Sequence, residues 1–281
     1  MHAARMPRYP PARIGFVGLG LLGASIALRV AREWPAAARV GVDRPDVARA
    51  ALRRGVITDT RDDVDALHDC DLVVLATPVP AIVDVLDTTA AAFDATVVTD
   101  VGSTKRRIAD AGRRLPHFAG GHPLAGAERG GLDRARPDLF DGHPWVIDSD
   151  AASDTAIAAV ERFAATMGAR PVRMPADEHD RVMAYVSHLP QLLAVALMNT
   201  AADAGALAAG VSGPAFAGIT RLAASPGELW RGVIASNADN VAEALAALRR
   251  HLPAGEPATL AGDALVAMFE RANRAVDAGK E

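Results

Sequence analysis

The chain has 281 residues, 50% of them hydrophobic and 23% charged, which is the composition of a folded globular protein long enough for two domains and excludes a disordered one. A formal net charge of −4 with no basic stripe excludes the electrostatic footprint of a nucleic-acid binder. No run approaches the roughly 18 to 20 uninterrupted apolar residues of a membrane-spanning helix, residues 1–11 lack the apolar stretch of a leader peptide, and the one cysteine, Cys70, excludes an internal disulfide, so a cytoplasmic protein without membrane contact is expected.

In chain order, Arg13 to Val17 is a β-prone run that enters Gly18-Leu19-Gly20-Leu21-Leu22-Gly23, after which Ala24 to Arg32 reads as a helix. This is G-x-G-x-x-G in the strand, turn, helix context that gives the motif meaning: glycines for the turn and for close approach of a pyrophosphate, which sits at the helix N-terminus. A second strand, Ala38 to Val42, ends in Asp43, 20 residues after Gly23. A carboxylate there accepts hydrogen bonds from an adenosine ribose and repels a 2′-phosphate, which favours NAD, whereas the adjacent Arg44 offers a guanidinium to that phosphate and keeps NADP open.

Val47 to Arg54 reads as a helix, Asp71 to Ala76 as an apolar strand stopping at Thr77-Pro78-Val79-Pro80, and Ile82 to Phe93 as a helix. Ala95 to Thr99 is the next strand and ends in Asp100-Val101-Gly102-Ser103-Thr104-Lys105 before another helix. Apolar strands alternating with helices predict a Rossmann-like, doubly wound parallel sheet, in which ligands sit beyond the carboxyl ends of the strands. Thr77, Ser103 and His122 are therefore expected to converge on one crevice, with Thr77, Pro78 and Gly102 expected to contact the cofactor. The stretch Gly121 to Gly131 holds His122 between glycines and Pro123 and carries Glu128 six residues later, a frame unusual for a core histidine, although a breaker-rich surface turn reads similarly. Pro144 to Ile147, Asp154 to Met167 and Arg170 to Met174 complete the domain as strand, helix, strand.

After Pro175 the pattern becomes helical: Asp177 to Ala204, Ala215 to Ala224, Gly227 to His251 and Pro257 to Ala278. The expected division is a dinucleotide-binding α/β domain over 12–174 and an all-α domain over 175–281, apolar enough that burial between two copies, a homodimer, is expected.

Together with the glycine-rich turn, Asp100 to Lys105 and Gly121 to Gly131, the segments His179-Asp180-Arg181-Val182-Met183-Ala184-Tyr185-Val186-Ser187-His188-Leu189-Pro190-Gln191, Phe216 to Ser225 and Trp230-Arg231 closely resemble the prephenate and arogenate dehydrogenase family of tyrosine biosynthesis, from about Ile14 to past Trp230. The resemblance implies NAD(P)-dependent oxidative decarboxylation of a cyclohexadienol without a metal. A ring carbon gives a hydride to the nicotinamide, the hydroxyl proton leaves to a base, and the ring carboxylate departs as CO2. It implies that His122 is that base, a role suited to neutral imidazole, with Ser103 bonded to the imidazole or the substrate hydroxyl. It also implies that Arg221 holds a substrate carboxylate.

Glu128 matches an acid near the site entrance in some members. His188 divides between the substrate pocket and the core, as does Trp230; capping or a domain contact is the expected task of His179. Two departures stand out: Gln191 replaces a second histidine of many members that holds the substrate's side-chain end, and Gly218 replaces an acid found three residues before the arginine. Glutamine offers a donor and an acceptor without a switchable charge, compatible with arogenate as well as prephenate. The chain is also expected to lack the regulatory domains of some relatives. Two other readings remain: a β-hydroxyacid dehydrogenase or imine-reductase-like enzyme, whose lysine-dependent type is disfavoured because no lysine follows residue 175 until Lys280, and a non-catalytic NAD(H)-binding sensor.

Overall fold

The computed structural model describes residues 9–127, 130–150, 153–205, 211–252, 255, 260 and 262–278. Strands β1 (Arg13–Val17), β2 (Ala38–Val42), β3 (Asp59–Thr60), β4 (Leu72–Leu75) and β5 (Val97–Asp100) form a parallel sheet in the order β3-β2-β1-β4-β5. Their side chains are almost wholly buried because helices cover both faces. Helices α1 (Leu21–Glu33), α2 (Pro45–Arg53) and α5 (Asp154–Thr166) contribute Ala24, Ile26, Ala48, Val160 and Phe163 to one core. Helices α3 (Val79–Thr89) and α4 (Arg106–Gly112) contribute Ile82, Leu86 and Ile108 to the other. Strand order reverses between β1 and β4, so the turns after them flank the switch-point crevice.

The closing unit differs from a simple continuation of the parallel sheet. Strands β6 (Gly121–Pro123), β7 (Pro144–Asp148) and β8 (Arg170–Met174) form a separate sheet, with β6 antiparallel to β7 and β7 parallel to β8. His122, expected in a turn-like stretch, thus lies on a strand opposite Val146. Gly121 fits because a Cβ there would stand 2.7 Å from both the Asp100 carbonyl oxygen and the Trp145 indole nitrogen.

Beyond Pro175, α6 (Ala176–Met183), a π turn (Ala184–His188) and α7 (Leu189–Asp203) form one continuous helix. Pro190 has no N–H for the carbonyl four residues back, and the wider turn just before it accommodates that loss. By length and composition alone this 28-residue helix is long and apolar enough to cross a membrane. Its first turns are nevertheless core, since His179 and Asp180 have no exposed surface. Next come α8 (Pro214–Thr220) with a tight turn over Arg221–Ala224, α9 (Gly227–Ser236), α10 (Ala238–Arg249) and α11 (Asp263–Ala278). The predicted helix from Gly227 to His251 is broken at Asn237, whose fully buried amide binds the Asp180 carbonyl oxygen and His188. Of the helix expected from Pro257, residues 257–259 and 261 lie outside those described.

Candidate active site

The glycine turn divides its labour in a way a bound dinucleotide explains. Gly18 takes φ +95, and a Cβ on it would lie 2.6 Å from the Ala76 carbonyl oxygen, so β1 can turn against β4 only with glycine there. A Cβ on Gly23 would lie 2.0 Å from the Gly18 carbonyl oxygen, which fixes the helix against the turn. Gly20 has nothing within 4 Å of its missing Cβ. Open space at the middle glycine, at the uncapped N-terminus of the 13-residue α1, has the form of a cradle for a pyrophosphate. Leu19 is different: its side chain is core and its N–H donates to Asp43 Oδ2 at 2.6 Å. Asp43 Oδ1 accepts the Arg44 N–H at 2.6 Å, so this carboxylate braces the turn while standing at the end of β2, and the Arg44 side chain is exposed.

A cleft of about 1070 Å³ opens between the strand ends and the helical region. Leu21, Leu22, Thr77, Pro78, Gly102, Ser103 and His122 line one wall, and Met183, Ser187, Gln191, Arg221 and Trp230 the other. Ten of the predicted site residues therefore share one cavity with both walls predominantly apolar around a few polar groups, the usual character of a small-molecule site. Thr77 Oγ1 is buried with no hydrogen-bond partner among the described residues, a polar atom suited to a bound ligand.

His122 is part-buried, and its Nδ1 lies 2.8 Å from Nε2 of His179. His179 Nδ1 in turn lies 2.8 Å from Asp180 Oδ1. Asp180 also accepts the Lys105 N–H at 2.6 Å and the Arg106 N–H at 3.0 Å, which draws the Gly102–Lys105 loop against α6. From the other side the buried Asp100 carboxylate accepts the N–H groups of Gly102 (2.7 Å) and Gly121 (3.0 Å) and pairs with the buried Lys105 ammonium. Burial holds the His122 imidazole well below the usual histidine range, and His179, Lys105 and His188 reinforce that. His179 is also lowered, by burial outweighing its carboxylate partner, and burial takes His188 down to about 4. Burial alone would raise Asp180, yet the bonds from His179 and the two backbone N–H groups hold it below the usual carboxylate value. The arrangement supplies a neutral imidazole at the cleft wall, in position to accept a proton.

Several expectations change here. No hydrogen bond joins Ser103 to His122 among the described residues; Ser103 lines the cleft, and the partner of His122 is His179, a residue expected only to cap or bridge. His188 does not line the cleft. It is 1% exposed, takes a 3.2 Å bond with the Asn237 amide and stacks edge-on at 6.0 Å against Trp230, so it supports the pocket wall from behind. Gln191 lines the cleft but spends one amide hydrogen on the Leu222 carbonyl oxygen at 2.9 Å, tying α7 to the turn that carries Arg221. Glu128 lies outside the described residues. Asp100, Lys105, Asp180 and Asn237 were not singled out as site residues in the sequence; the first three lie within the motif segments Asp100 to Lys105 and His179 to Gln191, and nothing local marks Asn237.

Two family models match the chain, each over a separate stretch. The family model "Prephenate dehydrogenase, nucleotide-binding domain" matches residues 26–173, and "Prephenate dehydrogenase, dimerization domain" matches residues 175–258. The chain is 29% identical over 250 residues to the prephenate dehydrogenase of Lactococcus lactis, covering 85% of this chain and 69% of that one. It is 32% identical over 236 residues to the cyclohexadienyl dehydrogenase of Zymomonas mobilis, covering 80% of each. Among solved structures, the prephenate dehydrogenase of Aquifex aeolicus in complex with hydroxyphenyl propionate and NAD+ superposes with a TM-score of 0.79 at 27% identity, covering 85% of this chain and 87% of that one.

Proposed function

From the premise that this chain belongs to the prephenate dehydrogenase family, we infer that it is an oxidoreductase that oxidatively decarboxylates prephenate or arogenate with NAD as cofactor. The observation that carries the reading to the level of residues is a neutral histidine on the wall of a cleft whose opposite wall presents an arginine. When bound, the nicotinamide accepts the hydride. Everything else falls to the chain. Gly18, Gly20, Gly23 and the N-terminus of α1 hold the pyrophosphate, Asp43 stands toward the ribose, Leu21 and Leu22 cover it, and Thr77, Pro78 and Gly102 border the nicotinamide end. His122 Nε2 takes the proton of the substrate hydroxyl as that oxygen becomes a carbonyl. Loss of CO2 from the far side of the ring then sends an electron pair through the ring to that oxygen, which takes the proton back from His122 to become a phenol.

Arg221 neutralises a substrate carboxylate with its planar fork, Ser103 bonds the reacting hydroxyl, Trp230 packs against the ring, and the remaining Gln191 oxygen and amide hydrogen face the substrate's side-chain end. The carboxylate at Asp43 selects NAD over NADP by repulsion. The chain is proposed to divide at residues 174 and 175, to pair with a second copy through the helical part, and to act in the cytoplasm.

The test is reduction of NAD, and separately NADP, by the purified protein with prephenate and with arogenate, followed at the nicotinamide absorbance. Reduction with either substrate that falls at least 10³-fold in His122→Asn, with NAD binding retained, is the expected outcome. Absence of turnover with both substrates from a folded, NAD-binding protein overturns the reading.

A further inference from the structure

We infer that His179 and Asp180 are positioning residues that set the tautomer of His122, so that the lone pair of Nε2, and not a hydrogen, faces the cleft; the inference rests on the base role proposed for His122. Asp180 has no exposed surface and collects four N–H groups: from the Lys105 backbone at 2.6 Å, the Arg106 backbone at 3.0 Å, the Arg106 Nε at 3.4 Å and His179 Nδ1 at 2.8 Å. An acceptor of that kind is a carboxylate, which has no hydrogen to give, so the hydrogen between Asp180 and His179 belongs to His179 Nδ1. A neutral imidazole carries one N–H. The Nε2 of His179 is therefore a lone pair, and the 2.8 Å contact with His122 Nδ1 requires the hydrogen on His122. One nitrogen of His122 is then left, and it is an acceptor.

The consequence for the reaction is specific. The hydroxyl proton of the substrate passes to His122 Nε2 as the hydride leaves the same carbon for the nicotinamide and the carboxylate carbon departs as CO2. His122 becomes an imidazolium that keeps its Nδ1 hydrogen on His179, and the Asp180 carboxylate compensates the charge without taking a proton. With His122 in its other tautomer, an N–H would face the hydroxyl and no proton could be accepted. His122 lies on β6 whereas the relay lies on α6, so the base is armed only where the helical region is seated on the nucleotide-binding one.

The test uses the full chain with histidine-selective 15N NMR, the His122 signals being assigned by their loss in His122→Asn, together with steady-state kinetics. Wild-type His122 should carry its hydrogen on Nδ1. In His179→Leu the population should move to Nε2–H, and kcat should fall roughly 10²- to 10⁴-fold, the scale of a mis-set histidine tautomer, with KM within about threefold. In His179→Gln the amide oxygen again accepts from Nδ1, and at least tenfold of the lost kcat should return. A wild-type spectrum with the hydrogen on Nε2, which needs no variant to fold, overturns the inference, as does a His179→Leu protein that keeps its kcat or loses only KM. An inactive wild type with the expected tautomer would instead count against the dehydrogenase reading.

Discussion

A histidine that acts as a base works only while neutral, and the surroundings of His122 keep it so. Burial lowers its pKa and the imidazoles of His179 and His188 and the Lys105 ammonium lower it further, so the acidic limb of kcat/KM should lie below the ordinary histidine value of about 6.5; a limb at or above that value would contradict the burial seen here. The same histidines tie stability to acid. His188 sits at about 4 in the folded chain against about 6.5 unfolded, so below that upper value the unfolded chain binds the extra proton and stability is lost progressively as pH falls toward 4. Urea unfolding at a series of pH values should show ΔG level above pH 7 and declining between about 6.5 and 4. The glycine turn gives a sharper contrast. Gly20→Ala meets no atom within 4 Å and should leave the unfolding midpoint in place while weakening NAD binding at least tenfold. Gly23→Ala meets a carbonyl oxygen at 2.0 Å and should lose about 1–3 kcal/mol of stability, read by the same denaturant titration. The glycines were legible in the sequence because their reasons are local. The partner of His122 was not, because His179 lies 57 residues away and only the packing of α6 against β6 joins them.

At the scale of elements, the strands and helices before residue 120 follow the alternation of apolar runs and breakers closely. β6 escaped because glycine and proline, ordinarily enemies of a strand, flank its single histidine; here the strand is short and its glycine is demanded by Asp100 and Trp145. The break between α9 and α10 escaped for the opposite reason. Local propensity across Gly227 to His251 favours one helix, and Asn237 interrupts it for tertiary partners: the Asp180 carbonyl oxygen at 2.7 Å, His188 at 3.2 Å and Arg106, which donates to Asn237 Oδ1 at 3.0 Å. Asn237→Leu keeps the volume but strands those partners in a fully buried place, and should cost about 1–3 kcal/mol in thermal or denaturant unfolding. An unchanged midpoint would mean that the break is held by something other than the amide.

For the whole molecule, the distribution of apolar surface is uneven. Of the large hydrophobic residues left exposed among those described, only Tyr9 and Leu52 precede residue 176, whereas Leu193, Leu197, Met198, Ile219, Val266 and Phe269 all follow it. The helical part has only a small core of its own, around Ala184, Leu189, Val241 and Ala244. The pairing proposed above would cover this surface, and the family model that matches the region is described as a dimerization domain. Analytical ultracentrifugation should give twice the chain mass, and Leu197→Glu with Phe269→Glu should shift the protein toward single chains; a wild type that sediments as one chain at micromolar concentration would refute the pairing. Asp180 grips the loop before α4 through the main-chain N–H groups of Lys105 and Arg106, groups every sequence but one containing proline supplies. Side chains complete the joint: Arg106 reaches Asp239 and Asn237, and the Thr104 hydroxyl meets that of Ser236 at 2.8 Å. A chimera that joined this nucleotide-binding half to another family member's helical half would therefore need those pairs matched before His122 met its partner, so the two halves are bound to change together.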